Sequence, residues 1–509
     1  MHTTIHAMLE AGAQSFGDKP LLIAPDRTLS FAEVDLLASR MAASLQRMSI
    51  GPGAVVTLWM ENGWRWMVSY FGILKCGAIV NPVNVLLTAD EVKFIIKDCG
   101  SRLLIAGAER LKLLRGELSI PAVTDSSSAA AGTVSFDAMI AATENSQAIL
   151  PESQVAANSP ASICYTSGTT GRPRGALLRH ESIVLNTAMT ALMHGRRSDD
   201  IVVSALPCPH VYGNIVMNAA VACGTTLVIL PRFDEATTLT AIRTHRATIF
   251  DGVPTMYMRL LNFPGLREFD LTTLRLCTVG GQTMSVAKME EVEGRFGCRL
   301  LELWGMTELG GLGVTHPHNG PHKLGAIGVV LPLNEAQGVD VADATRCVPR
   351  GEPGELMIRG PLVMEGYWGD AESTREAITA DGWLHTGDVV RQDAAGYIYV
   401  VDRKKDVILS GGYKIYPAEV ERVIAQHPAV AMVAVAAKRD ELKGHVAKAF
   451  IVLRHNMQVS AEEIIAHCRT DLAAYKTPRA VEFLADLPRN STGKILRRAL
   501  AERSPEDKA

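Results

Sequence analysis

Residues 165–175, YTSGTTGRPRG, hold the densest set of groups in the chain that could do chemistry. Thr166, Ser167, Thr169 and Thr170 supply hydroxyl donors, and Gly168 and Gly171 let backbone N–H groups come close to a phosphate. Arg174 closes the segment with a cation suited to phosphate charge. A flexible Ser/Thr/Gly linker would have no reason for this ordered alternation behind an apolar run. The GxxxxGK[ST] pattern of a P-loop cannot be threaded through these residues. The segment reads as a phosphate-binding loop of another kind.

The elements that must hold this loop are legible in part. Short apolar runs at 54–60, 225–230, 248–253 and 274–281 read as buried strands, and 236–245 reads as a helix between two of them. Ser30 and Glu33 form a capping box ahead of Phe31, Val34, Leu37, Ala38, Met41 and Leu45, which recur at helical spacing. Alternating strand and helix predicts α/β layers with a largely parallel sheet. The character changes after about residue 400. There Pro417 opens a helix with Val420, Val423 and Ile424 on one face, and strand-like runs follow. A second capping box, Ser460 with Glu463, starts a helix expected to turn Ile464, Ile465, Cys468 and Leu472 inward. DSSSAAAG at 125–132 reads as an exposed loop.

Composition narrows the class. The 509 residues suggest more than one domain, and 47% hydrophobic content excludes wholesale disorder. Lys plus Arg total 51 against 54 Asp plus Glu, a net charge of -3 that offers no overall field for nucleic acid. Nine scattered cysteines, none spaced as CxxC, suit a reducing compartment rather than a disulfide framework or a zinc site. Residues 201–231 lack Asp, Glu, Lys and Arg, but prolines, glycines and asparagines break them too often for a transmembrane helix. The amino terminus has neither a basic start nor an apolar core, so no signal peptide is expected and the protein reads as cytoplasmic.

YTSGTTGRPRG resembles the signature loop of the adenylate-forming enzymes, which include acyl-CoA synthetases, luciferases and peptide-synthetase adenylation domains. Other family motifs follow in family order: LPCPHVYG (206–213), DGVPTMY (251–257), VGGQT (279–283), LWGMTE (303–308), WLHTGD (383–388), DRKKDVILSGGYKIYPAEVE (402–421), YKTP (475–478) and LPRNSTGKILRR (487–498). The resemblance implies a large N-terminal α/β domain, residues 1–401, of sheets flanked by helices with a distorted β-barrel. It also implies a small mobile α+β domain at 402–509.

It implies site residues as well. Glu308 matches the carboxylate that holds magnesium, and Thr307 the hydroxyl on the adenylate phosphate. Trp304 stands where tyrosine is usual beside the adenine, and its indole keeps a flat face. Gly280, Gly281 and Gln282 match the loop along the other face of the ring. Asp388 matches the acceptor of the ribose hydroxyls, and Arg403 the arginine supporting ribose or phosphate. Lys494 matches the mobile lysine that bridges acid and phosphate. Taken alone, Asp388 would be a turn residue and Lys494 a solvated surface cation; their register in the motif order reverses both readings. Lys405 matches the hinge, Gly411 and Gly412 the wall of the pantetheine tunnel, and His210 the histidine between tunnel and acyl pocket. Two departures stand out: Arg174 replaces the usual lysine, and Cys208-Pro209 precede His210 where an aromatic is commoner.

The function implied is that of an AMP-forming acid–thiol ligase using ATP, Mg²⁺ and coenzyme A. The expected acyl pocket comprises Val211, Tyr212, Asn214, Gly280, Gly305, Gly310, Gly311 and Leu312. Its small residues are expected to leave room for an apolar acyl or aryl chain, and the absence of lysine and arginine disfavours a dicarboxylate such as malonate. Amino-acid adenylation is disfavoured because PCPH supplies no aspartate. A ligase loading a carrier protein, a short dicarboxylate (malonate-type) CoA ligase and a non-enzymatic nucleotide-binding scaffold are the alternatives, and a homodimer is left open.

Overall fold

A computed structural model describes residues 4–114, 117–125, 133–142, 155–166, 173–488 and 497–501. The chain packs into two compact units. The first comprises Met1–Ala336 and Ile358–Leu384, and the second Gln337–Met357 and His385–Ala509. Residue 402 falls inside the second unit, where strand Ile398–Arg403 runs into the 3₁₀ turn Lys404–Asp406.

Two large sheets organise the first unit. The four apolar runs became strands Val55–Trp59, Thr226–Ile229, Ile249–Gly252 and Leu276–Val279. In the nine-stranded sheet, Pro20–Ile23, Thr226–Ile229, Ile201–Ser204, Ile249–Gly252, Leu276–Val279 and Arg299–Met306 are parallel neighbours in that order. Antiparallel strands extend it at both ends. The eight-stranded sheet is parallel from Thr133–Ser135 through Pro160–Thr166 and then turns back through Arg174–Arg179 and Gly366–Tyr367. Among the described residues each sheet is an open path, so hydrogen bonds do not close the expected distorted barrel.

Local chemistry explains the helices. Ser30 accepts from the Glu33 N–H while Glu33 accepts from Ser30, and all six predicted apolar positions of helix Phe31–Arg47 are buried. Helix Trp64–Lys75 packs behind it and buries Lys75, whose ammonium lies 2.9 Å from Glu10 and 2.7 Å from Asp35. Among the described residues no helix is long and apolar enough to cross a membrane, and residues 201–231 divide into strand, loop, helix and strand. All nine cysteines are free, six of them buried, while Cys347 is exposed.

In the second unit, helices Pro417–Ile424 and Ala461–Asp471 share a core with strands Val430–Asp440 and Gly444–Leu453. Val420, Val423, Ile424, Ile464, Cys468 and Leu472 enter that core as expected. Ile465 instead is half-buried, beside Arg469 and Thr477 at a cavity of about 420 Å³. The low-complexity stretch 126–132 lies outside the described residues.

One buried group gives the first unit a pH signature. Glu302, on strand Arg299–Met306, is 3% exposed, and burial pushes its carboxyl up to about 8. The folded protein therefore holds a proton that the unfolded chain releases near the ordinary glutamate value, so stability falls as pH rises from about 4.5 to about 8. Glu302→Gln should remove that fall. Melting temperatures of wild type and variant should agree most closely near pH 5, with the variant increasingly ahead up to pH 8; parallel curves would refute the assignment.

Candidate active site

Parallel strands end on the same edge, and loops leaving the carboxyl ends of adjacent strands meet there. Three of the predicted motifs leave strands of one parallel run in this way, with Ile249–Gly252 between the first and the second. Ile201–Ser204 leads to His210, Leu276–Val279 to Gly280, Gly281 and Gln282, and Arg299–Met306 to Thr307 and Glu308. Gly281 has a φ of +86°, so the loop turns in a conformation that side chains disfavour, and Gln282 is exposed just beyond it.

The PCPH loop is held by Asn62, a residue the sequence reading missed. Its carboxamide donates to Leu206 O at 2.8 Å and Leu230 O at 3.2 Å and accepts from the Cys208 N–H at 2.9 Å. The loop then folds onto helix Val211–Cys223, where a Cβ on Gly213 would lie 2.3 Å from Pro207 O. His210 caps this helix through Nδ1, which accepts from the Tyr212 N–H at 3.2 Å. As a residue His210 retains solvent exposure, although residues 211–221 that follow it are all buried. The protein packed around it lowers the imidazole's pKa, which favours the neutral form.

The expected phosphate-binding segment joins two strands that pair antiparallel. Thr166 and Arg174 pair across strands Pro160–Thr166 and Arg174–Arg179, and Thr166 Oγ1 donates to Arg174 O at 3.5 Å. Ser167, Gly168, Thr169, Thr170 and Gly171 lie outside the described residues. The Arg174 guanidinium sits 4.5 Å from the centroid of the Tyr367 ring, and the Tyr367 hydroxyl donates to Glu308 Oε1 at 2.8 Å. Burial, with the Glu308 charge next in weight, raises the Tyr367 pKa and keeps this hydroxyl protonated as a donor. Tyr367 was not singled out in the sequence; the only signal was a glycine followed by two aromatics at 366–368. Thr307 is half-buried beside Glu308, in the 3₁₀ turn Thr307–Leu309. Trp304 is 9% exposed, and a Cβ on Gly313 would lie 2.8 Å from its six-membered ring.

The glycines of the expected acyl pocket are closely packed in the direction a side chain would take. A Cβ on Gly311 would lie 2.6 Å from Ile215 and 2.7 Å from Asn186 Oδ1; on Gly305, 2.2 Å from Gly311 O; on Gly280, 2.2 Å from Leu303. A side chain at any of the three would meet protein, so their missing Cβ atoms permit close packing. Gly310 ends the 3₁₀ turn with a φ of +64°. Val211, Tyr212, Asn214 and Leu312 are buried. Asn214 Oδ1 accepts from Tyr70 Oη at 3.3 Å and from Asn218 Nδ2 at 2.8 Å. The Tyr212 hydroxyl lies 2.6 Å from Thr278 Oγ1, which donates to Asp251, and Arg196 Nη2 reaches both Asp251 oxygens at 2.9 Å.

In the second unit, Asp388 and Arg403 are directly opposed on antiparallel strands Leu384–Gln392 and Ile398–Arg403, with Nε 2.6 Å from Oδ1. Asp388 is buried and Arg403 exposed. Lys405 is exposed at the centre of its 3₁₀ turn. Gly411 and Gly412, with φ of +54° and +84°, form the two-residue turn between strands Ile408–Ser410 and Tyr413–Ile415. Lys494 lies outside the described residues.

Comparison with known proteins shows the family. The family model described as AMP-binding enzyme matches residues 9–368, and that described as AMP-binding enzyme C-terminal domain matches 419–494. A long-chain-fatty-acid–CoA ligase of Bacillus subtilis is 33% identical, over 99% of this chain and 95% of that one. The crystal structure of an anthranilate CoA ligase in complex with anthranoyl-AMP has a TM-score of 0.88 at 30% identity, covering 98% of this chain and 97% of that one. The o-succinylbenzoate coenzyme A synthetase from Bacillus subtilis in complex with ATP and magnesium ion has a TM-score of 0.83 at 30% identity, covering 97% of this chain and 98% of that one. With most of its length matched by family models and by relatives of this similarity, the chain belongs to the AMP-binding, adenylate-forming enzymes.

Proposed function

We infer that the protein is an ATP-dependent carboxylic acid:CoA ligase that forms acyl-AMP with release of pyrophosphate and then acyl-CoA. The observation that carries this reading is the approach of Arg174, at the end of the phosphate hairpin, to Glu308 through the single side chain of Tyr367. Adenylation brings an anionic acid to an anionic phosphate, and fixed cations must offset the repulsion.

The donors fit magnesium as a partner of ATP rather than as a caged ion. Among the described residues no cluster of three metal-ligating side chains exists, and Glu308 is a single hard oxygen ligand at the phosphate end. Magnesium commonly takes one or two carboxylates and completes its shell with phosphate oxygens and water. Glu308 would hold it, and the ion would neutralise charge on the departing pyrophosphate. Arg174 and the hydroxyls and amides of 166–171 bind the phosphates, Thr307 the α-phosphate, and Trp304 with Gly281 and Gln282 the adenine. Asp388 accepts from the ribose hydroxyls, with Arg403 opposed to it, and Lys494 bridges the acid and the α-phosphate. In the second half-reaction the thiolate of coenzyme A attacks the acyl carbonyl and AMP leaves, with His210 and the Gly411–Gly412 turn beside the pantetheine path. The second conformation turns about Lys405, so the parts that move divide near residue 402. Free thiols throughout the chain suit the cytoplasm.

A fatty or aryl acid is the proposed substrate. Arg196, the cation behind Tyr212, is closed on Asp251 and offers no net charge to a second carboxylate. Pyrophosphate release across fatty acids, benzoates, cinnamates and malonate should favour an apolar or aryl acid, with thioester appearing only when coenzyme A is added. Malonate ranking first would refute the apolar reading, and product formed only on a carrier protein would replace coenzyme A as acceptor.

Two substitutions separate the half-reactions. Lys494→Ala should lower acyl-adenylate formation by orders of magnitude and leave conversion of supplied acyl-adenylate to thioester near normal; an equal fall in both would remove the lysine from this role. Lys405→Pro fixes φ near -65° and restricts Lys404 before it. Adenylation should persist while thioester formation fails, at an unchanged melting temperature. Full CoA transfer by this variant would place the hinge elsewhere.

A further inference from the structure

Tyr367 joins the two charged groups on which the proposed ATP site depends, and its own backbone is held from several directions. Strand Gly366–Tyr367 pairs with Arg174–Arg179, with Tyr367 opposite Ala176. On either side, the Glu365 N–H donates to Leu177 O at 3.0 Å and the Trp368 N–H to Gly175 O at 2.7 Å. The Tyr367 N–H donates to Thr374 Oγ1 at 2.8 Å. Gly366 has a φ of +154°, and a Cβ there would lie 2.7 Å from Thr374 Cγ2, so the residue before Tyr367 must be small for this anchorage to form. The same segment reaches the turn that carries Glu308, where the Met364 N–H donates to Glu308 O at 2.8 Å.

Glu308 is thus held twice from segment 364–367, once at its backbone oxygen and once at its carboxylate. Arg174 meets the other function of the same side chain, the ring face. A planar guanidinium can lie over an aromatic ring and still present N–H groups at its edge, which an ammonium cannot do. Arginine in place of the family's usual lysine therefore has a physical partner in this chain.

We propose that Tyr367 is a positioning residue for the Mg·ATP site, its hydroxyl setting the Glu308 carboxylate and its ring setting the Arg174 guanidinium. The proposal rests on the ligase reading for the roles of Glu308 and Arg174. Hydroxyl and ring make separable contributions, because Tyr367→Phe removes the hydroxyl and keeps the ring, whereas Tyr367→Leu removes both.

The test is calorimetric titration of ATP into the full-length protein, without any acid, at Mg²⁺ concentrations from trace to saturating. In Tyr367→Phe the Mg²⁺ concentration needed for half-maximal ATP affinity should rise about tenfold, the scale of a lost hydrogen bond to a charged group. ATP affinity at saturating Mg²⁺ should be nearly unchanged. In Tyr367→Leu that saturated affinity should fall as well, by about threefold to tenfold as the guanidinium loses its platform. Arg174→Lys should weaken ATP binding in the wild-type background and much less in Tyr367→Leu, since the partner is already gone. An unchanged Mg²⁺ dependence in Tyr367→Phe overturns the proposal. So does an equal loss of affinity at every Mg²⁺ concentration together with a lowered melting temperature, which marks a purely structural role. The ligase reading is judged separately, on acid-dependent pyrophosphate release by wild type, whereas the assignment of Tyr367 is judged on ATP binding.

Discussion

The parallel register of the strands from Ile201–Ser204 to Arg299–Met306 is the constraint on which the rest of the first unit depends. Parallel strands must each return through a crossover, so their carboxyl ends and the loops beyond them share one edge. Motifs separated by scores of residues therefore emerge side by side. A one-residue slip would turn each strand's side chains to the opposite face. The buried network of Tyr212, Thr278, Asp251 and Arg196 resists such a slip. It joins Asp251 and Thr278, opposite each other on adjacent strands, to Tyr212 on helix Val211–Cys223 and to Arg196 in the segment before strand Ile201–Ser204. Removing one member of a fully buried charge pair leaves the other uncompensated, which typically costs about 3–5 kcal/mol.

A second constraint is close backbone approach. Gly213 permits the PCPH loop to fold against its own helix, Gly305 lets strand Arg299–Met306 touch its antiparallel partner, Gly311 lets that partner approach Ile215 and Asn186, and Gly366 seats the segment before Tyr367. A glycine in a motif can mean space for a ligand or space already taken by the protein. Sequence cannot separate these meanings, because both require the same missing Cβ. At Gly280, Gly305 and Gly311 a Cβ would meet Leu303, Gly311 O, Ile215 or Asn186, so close packing alone already requires the glycine.

Local signals were legible where the physics is local. Both capping boxes, the proline opening helix Pro417–Ile424 and the apolar runs that became strands depend on neighbours within a few residues. The motif residues were legible as types in a known order. Their pairings were not: Asp388 and Arg403 lie 15 positions apart yet face each other across two strands, and Asn62 holds a loop more than 140 residues away. Ile465 has the spacing of an inward residue but stands at the edge of the helix's buried face, which only the tertiary packing defines. Tyr367 was illegible for the same reason, since its value lies in a ring face and a hydroxyl that meet residues 193 positions earlier and 59 positions earlier.

Arginine at position 174 brings these points together. By charge alone it is interchangeable with lysine, and the sequence offers no ground for preferring either. Geometry distinguishes them, because a ring face 4.5 Å away favours a flat, weakly hydrated cation over a strongly hydrated point charge. The ring has to lie where it does because its strand pairs with the hairpin that carries Arg174, and its hydroxyl reaches Glu308 because the turn bearing Glu308 is pinned to the same segment. The departure from lysine is thus coupled to an edge strand of two residues. A change in that strand would alter the cation and the carboxylate together, although neither lies next to it in sequence.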